Sequence, residues 1–123
     1  MIDFAVAERF AADWIAAWNR HDLDGLLDRC ADSIEWASPL LPRLARAPSG
    51  VLRGKRAVGA CWARLLTAPA LTLAPRLRCT ALLALSGRGS LVLLSRAGPW
   101  TIAQTFGFQA DGQVARLTTH HAN

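Results

Sequence analysis

The stretch FAVAERFAADWIAAW sets Phe4, Ala7, Ala11, Trp14 and Trp18 at helical spacing behind Asp3, whose carboxylate can accept from the free N–H groups of a first turn. The pattern predicts a helix, with Arg9 and Asp13 as a surface pair one turn apart. NRHD breaks the period. Asp22 then heads a short second helix that buries Leu23, Leu26, Leu27 and Cys30. SIEWAS alternates and reads as a strand, with Ile34, Trp36 and Ser38 on one face and Ser33, Glu35 and Ala37 on the other. Residues 39–54, rich in proline and arginine, read as the one real loop. A third helix, from about Lys55 to Leu66, gathers Val58, Cys61, Trp62 and Leu65 on one side, and TAPA ends it.

After Pro69 the period becomes two. LTLAPRLRCT sets Leu71, Leu73, Leu77 and Cys79 opposite Thr72, Arg76 and Arg78, and TALLALS and SLVLLSR flank a GRG turn. WTIAQTFGFQ and QVARLTTHH flank ADG as a second hairpin. Gln104 shares a face with Ile102, Phe106 and Phe108, and His121 shares one with Leu117 and Thr119. The order predicts an α+β fold in one domain over residues 1–123, with three helices in the N-terminal half on one face of a curved antiparallel sheet. The two middle strands of the meander are apolar on both faces. Helices cover only one face, so the other predicts a homodimer through the sheet.

Composition narrows the class. The chain's 123 residues suffice for one core, and a hydrophobic share of 52% excludes a disordered chain. Its apolar runs fall well short of the roughly 20 residues that a membrane helix needs. The opening residues carry acids where a secretory leader would carry bases. Cys30, Cys61 and Cys79 are widely spaced with no CxxC, which argues against disulfides and zinc and for buried apolar thiols. A soluble cytoplasmic protein without membrane partner, metal or cofactor is expected.

The net charge of +5 comes mostly from thirteen arginines spread along the chain. Without a basic stripe or interleaved aromatics, nucleic acid is not an expected partner; a small apolar or anionic organic ligand is. The acids are more telling. Eight of nine lie between Asp3 and Glu35, and the ninth is Asp111, so the chain from Trp36 through Ala110 has none. Glu35 faces away from Trp36 and is expected in solvent or beside an arginine.

WIAAWNRHDLDGLLDRCADSIEWASP, the later GKRAVGACWARLL and the closing hairpin resemble the nuclear transport factor 2-like superfamily, in its SnoaL-like and ketosteroid isomerase-like branch. The resemblance spans nearly the whole chain and implies a cone-shaped, cystatin-like barrel around an apolar pocket, usually in a dimer. It does not fix a function, because one fold hosts many chemistries. By this resemblance the isomerases' phenol donor on the first helix is replaced by Trp14. Their carboxylate base, at the end of the first strand before a proline, is replaced by Ser38. Their late-strand protonated carboxyl falls near Gln104. Trp14 and Gln104 can still donate hydrogen bonds, whereas Ser38 cannot act as an unaided base near neutral pH.

His121 is then the candidate base, since imidazole titrates in the useful range. Against it stands its place near the end of the chain, where strands fray. His120 and His121 point to opposite faces and do not form a metal pair, and His21 sits at a junction between helices. Gln104 is expected either to bond Ser38 or Trp14 or to orient a ligand. The expected ligand-binding set is Trp14, Trp36, Ser38, Trp62, Ile102, Gln104, Phe106, Leu117 and Thr119, with Arg43, Arg46 or Arg53 of the loop holding an anionic tail. Two readings stand. One is a small-molecule-binding protein, in the enzymatic case moving a proton on a carbonyl compound. The other is a non-catalytic binding or dimerisation module whose cone is filled by Trp14, Trp36 and Trp62.

Overall fold

The computed structural model describes residues 2–67 and 78–122. Helix α1 (Phe4–Asn19) starts at Asp3, whose Oδ1 accepts from the Ala5 N–H at 2.7 Å. It buries Ala7, Phe10, Ala11, Trp14, Ile15 and Ala17, while Phe4 stands 70% exposed. The inward stripe is thus turned from the expected one. Apolar residues nearly encircle this helix, so more than one stripe satisfies the spacing. Helix α2 (Leu23–Asp28) is capped by Asp22, whose carboxylate accepts from the Gly25 N–H at 3.0 Å. A Cβ on Gly25 would collide with that carboxylate, which explains a glycine inside the helix.

Strand β1 (Cys30–Ala37) leads into the expected loop, which holds a one-turn helix, α3 (Leu41–Leu44), and a short strand, β2 (Val51–Arg53). Leu41 and Leu44 are buried, and Arg64 of helix α4 (Lys55–Thr67) donates to the Leu44 carbonyl at 2.8 Å. Two apolar anchors and one side-chain bond fasten this segment to the body of the fold. Of the strand expected from LTLAPRLRCT, residues 71–77 lie outside the described residues. Strands β3 (Cys79–Ser86), β4 (Ser90–Ala97), β5 (Trp100–Phe108) and β6 (Val114–Ala122) form the meander. Gly112 turns the last hairpin with a φ of 86°, a conformation that disfavours a side chain.

The six strands run in the order β2-β1-β6-β5-β4-β3 and curl without closing. All neighbours are antiparallel except β1 and β6, where Trp36 faces Leu117 and Ala37 faces Thr118. The expectation of an antiparallel sheet misses this joint. A parallel pair requires a long crossover, and here everything between β1 and β6 supplies it. Helix α1 packs over β3 and α4 over β1. The Asn19 side chain fixes the first of these contacts: its Oδ1 accepts from the Cys79 N–H at 2.8 Å and its Nδ2 donates to the Cys79 carbonyl at 3.0 Å.

Register places the concave face in rows. Leu91, Phe106 and Leu117 form one, Leu93, Gln104 and Thr119 the next, and Ser95, Ile102 and His121 the third. The convex face carries Leu83, Leu85, Val92, Leu94 and Ala103, with Leu83 50% exposed. No helix among the described residues is long and apolar enough to cross a membrane.

Candidate functional site

The first concave row is closed. Trp14 and Phe106 have no exposed surface and Trp62 has almost none. Their rings interlock: Trp14 meets Trp62 edge-on at 5.7 Å and Phe106 at 5.0 Å, while Phe10 stacks on Trp14 at 5.8 Å. Trp36 and Trp18 meet Trp62 from its other sides, at 5.6 and 5.8 Å. Each contact is an offset or edge geometry that aromatic quadrupoles favour. Trp14, Trp62, Phe106 and Leu117, all expected to touch ligand, are instead core. The indole N–H groups of Trp14 and Trp62 are buried without a partner among the described residues. A buried N–H without an acceptor costs stability, so aromatic contacts must offset it.

The second row is polar at its centre. Gln104 and Thr119 face each other across β5 and β6 and are nearly buried. The Trp36 Nε1–H donates to the Thr119 hydroxyl at 3.1 Å, tying the end of β1 to β6. Gln104 bonds neither Ser38 nor Trp14 among the described residues, so of its two expected roles the structural network is not formed. Its amide makes no hydrogen bond among the described residues, yet it is not sealed from solvent. Ser38 is nearly buried, and its Oγ accepts from the Leu40 N–H at 3.2 Å as the chain turns into α3. Its role there is first that of a turn-former, with the hydroxyl proton still available to donate.

The third row opens outward. Ile102 and His121 oppose each other and are half-buried, and Ser95, opposite Ile102, is buried. The Trp100 ring meets the His121 imidazole edge-on at 6.3 Å. His121 belongs to a paired strand rather than a frayed end, and its Nδ1 has no partner among the described residues. Burial, with the charge of neighbouring His120 adding to it, lowers the His121 pKa, so the ring is neutral near pH 7. A neutral imidazole can take up a proton, as a base must. Ser95 is absent from the expected binding set. The alternation in SLVLLSR carries the signal for Ser95, which falls in phase with Leu91 and Leu93.

Other candidates disperse. Arg53 pairs with Glu35 at 3.0 Å on the outer surface, across the β1 and β2 strand pair. Asp13 pairs with Arg29 at 3.0 Å and not with Arg9. Burial raises the pKa of all three thiols, that of Cys30 to about 11, which makes them poor nucleophiles. Cys79 is half-buried where full burial was expected. No group of three or more His, Cys, Asp or Glu gathers among the described residues.

Residues 11–118 match the model of the SnoaL-like domain. The chain belongs to the SnoaL-like family. A SnoaL-like protein of unknown function from Burkholderia thailandensis is 36% identical, with a TM-score of 0.87 over 99% of this chain and 98% of that one. An NTF2-like protein of unknown function from Burkholderia pseudomallei is 19% identical, with a TM-score of 0.73 over 94% of this chain and 90% of that one. A provisionally assigned ketosteroid isomerase from Kribbella flavida is 13% identical, with a TM-score of 0.68 over 95% of this chain and 78% of that one. The last two likenesses establish the fold alone. No curated protein matches the sequence. In this SnoaL-like chain, the strand-end position before Pro39 holds a serine, and the inner row holds aromatic rings.

Proposed function

We propose that this SnoaL-like protein binds a small carbonyl compound over the Gln104, Thr119 and His121 end of the concave sheet, with His121 moving a proton to or from it. The observation that carries the reading is the half-buried His121 imidazole, one row beyond Gln104 on the same face of the sheet. The Gln104 amide supplies a donor for the carbonyl oxygen, and Ile102 and Trp100 supply apolar walls. As a proton leaves the carbon next to the carbonyl, charge builds on that oxygen, and a fixed donor there lowers the barrier. The same proton passes to the neutral imidazole and can return to a different carbon, which is an isomerisation. No cofactor is required by that chemistry. The likeness in fold to a provisionally assigned ketosteroid isomerase supports the reaction class without fixing the substrate.

A second reading has its own support. Trp14, Trp62 and Phe106 fill the inner row, as a non-catalytic binding module would have it. Deuterium exchange at the α-carbons of cyclohexenone separates the two. A proton-transfer enzyme exchanges them faster than buffer does, and His121→Gln removes the acceleration. Binding without exchange makes the protein a binding module, and unchanged exchange in His121→Gln removes His121 as the base.

We also propose that two copies associate through the convex face. Leu83, Leu85, Val92, Leu94 and Ala103 adjoin one another there, and Leu83 and Leu85 are exposed among the described residues. Exposed contiguous apolar area of this kind is a usual mark of an interface.

A further inference from the structure

A hollow lies away from the His121 row, where the first half of α1 crosses the turns before β4 and after β5. It is an open groove of about 610 Å³, within the size range of small-molecule sites. Its floor is apolar, made by Val6, Phe10, Leu91 and Phe108. The edge-on contacts of Phe10 with Phe106 and Phe108, at 5.0 and 5.2 Å, make that floor rigid.

Charge distinguishes the rim. Arg9, Arg29 and Asp13 stand on it, a net charge of one positive. Arg29 is held in place from two sides: its guanidinium lies 5.2 Å over the Phe10 ring, and one Nη donates to Asp13 at 3.0 Å. A guanidinium fixed by one bond still presents its remaining N–H donors in a planar fork suited to a carboxylate. Arg9 makes no ion pair among the described residues, so its charge is uncompensated there. A rigid aromatic floor beneath a net cationic rim selects a ligand with an apolar body and one negative group.

We infer that this groove is a second ligand site, distinct from the His121 row, that takes a small aromatic carboxylate. The ring lies against Val6 and Phe108, and the carboxylate meets Arg29 and Arg9. The proposal is independent of any chemistry at His121.

The test titrates the full chain with naphthoate, and separately with its neutral carboxamide, while backbone amide resonances are followed by NMR. Naphthoate is expected to shift Gly89, Gln109, Ala110 and the first half of α1, leaving Thr119 and His121 unmoved. It is expected to bind about threefold more tightly than the carboxamide, the size that an exposed ion pair carries. The double variant Arg9→Gln, Arg29→Gln should bind both probes alike, and Val6→Trp should fill the groove and abolish the shifts. Amide spectra of both variants report whether they fold. Equal affinity for the two probes in the unmodified chain overturns the proposal. So do shifts centred on the His121 row, or no shift at millimolar naphthoate.

Discussion

The indole of Trp36 donates to the hydroxyl of Thr119 across 3.1 Å, and this bond stitches the only parallel joint among the described strands. Both residues are nearly buried, so neither polar atom can turn to water if the other is removed. Trp36→Phe should therefore cost more than its lost area, with about 1–3 kcal/mol from the stranded hydroxyl. In a double-mutant cycle with Thr119→Val, urea denaturation should show a coupling of about 1 kcal/mol. Additive losses would show that the bond contributes nothing.

Trp14 makes the opposite case. Its indole N–H has no partner among the described residues, so Trp14→Phe deletes ring area and no hydrogen bond. Trp14→Ala removes a ring held between Phe10, Trp62 and Phe106 and should cost about 3–5 kcal/mol. Trp14→Phe should cost well under half of that by the same denaturation curve.

The His121 pKa is lowered by folding, which fixes the sign of its effect on stability. The unfolded chain takes up the proton first as pH falls below the ordinary value of 6.5. Stabilisation by neutral His121 is thus fully present above that value and is lost as pH falls from it through the native pKa. Thermal melts across this range should show the decline, and His121→Gln should flatten it. A melt series in which the variant declines as steeply as the parent would count against a buried imidazole.

The convex-face dimer predicts that Leu83→Arg with Leu85→Arg yields monomer. Sedimentation of the unmodified chain at micromolar concentration should show a dimer. A monomer in both cases would leave the exposed leucines without an interface.

Much of the fold is legible in the chain because its periods are clean. Capping at Asp3 and Asp22, the alternation of Ile34, Trp36 and Ser38, and the turns at GRG and ADG fall where the spacing puts them. The parallel meeting of β1 and β6 is not legible, because register between distant strands is set by tertiary contact. The loop over residues 39–54 conceals α3, since Leu41 and Leu44 acquire meaning only against Arg64 and the core. The site divides in the same way. Periodicity correctly puts Gln104, Thr119 and His121 on the concave face. It cannot say that Trp14 and Trp62 close against each other, because filling a cone depends on side-chain volumes brought together by folding.

The two indole N–H resonances of Trp14 and Trp62, with that of Trp36, report directly on which part of the cone receives a ligand. On titration with cyclohexenone, the Trp36 indole and the Thr119 and His121 amides should shift while the Trp14 and Trp62 indoles stay fixed. Movement of the Trp14 and Trp62 signals, or stillness of all of them at millimolar ligand, would contradict a closed aromatic row with a binding edge at His121.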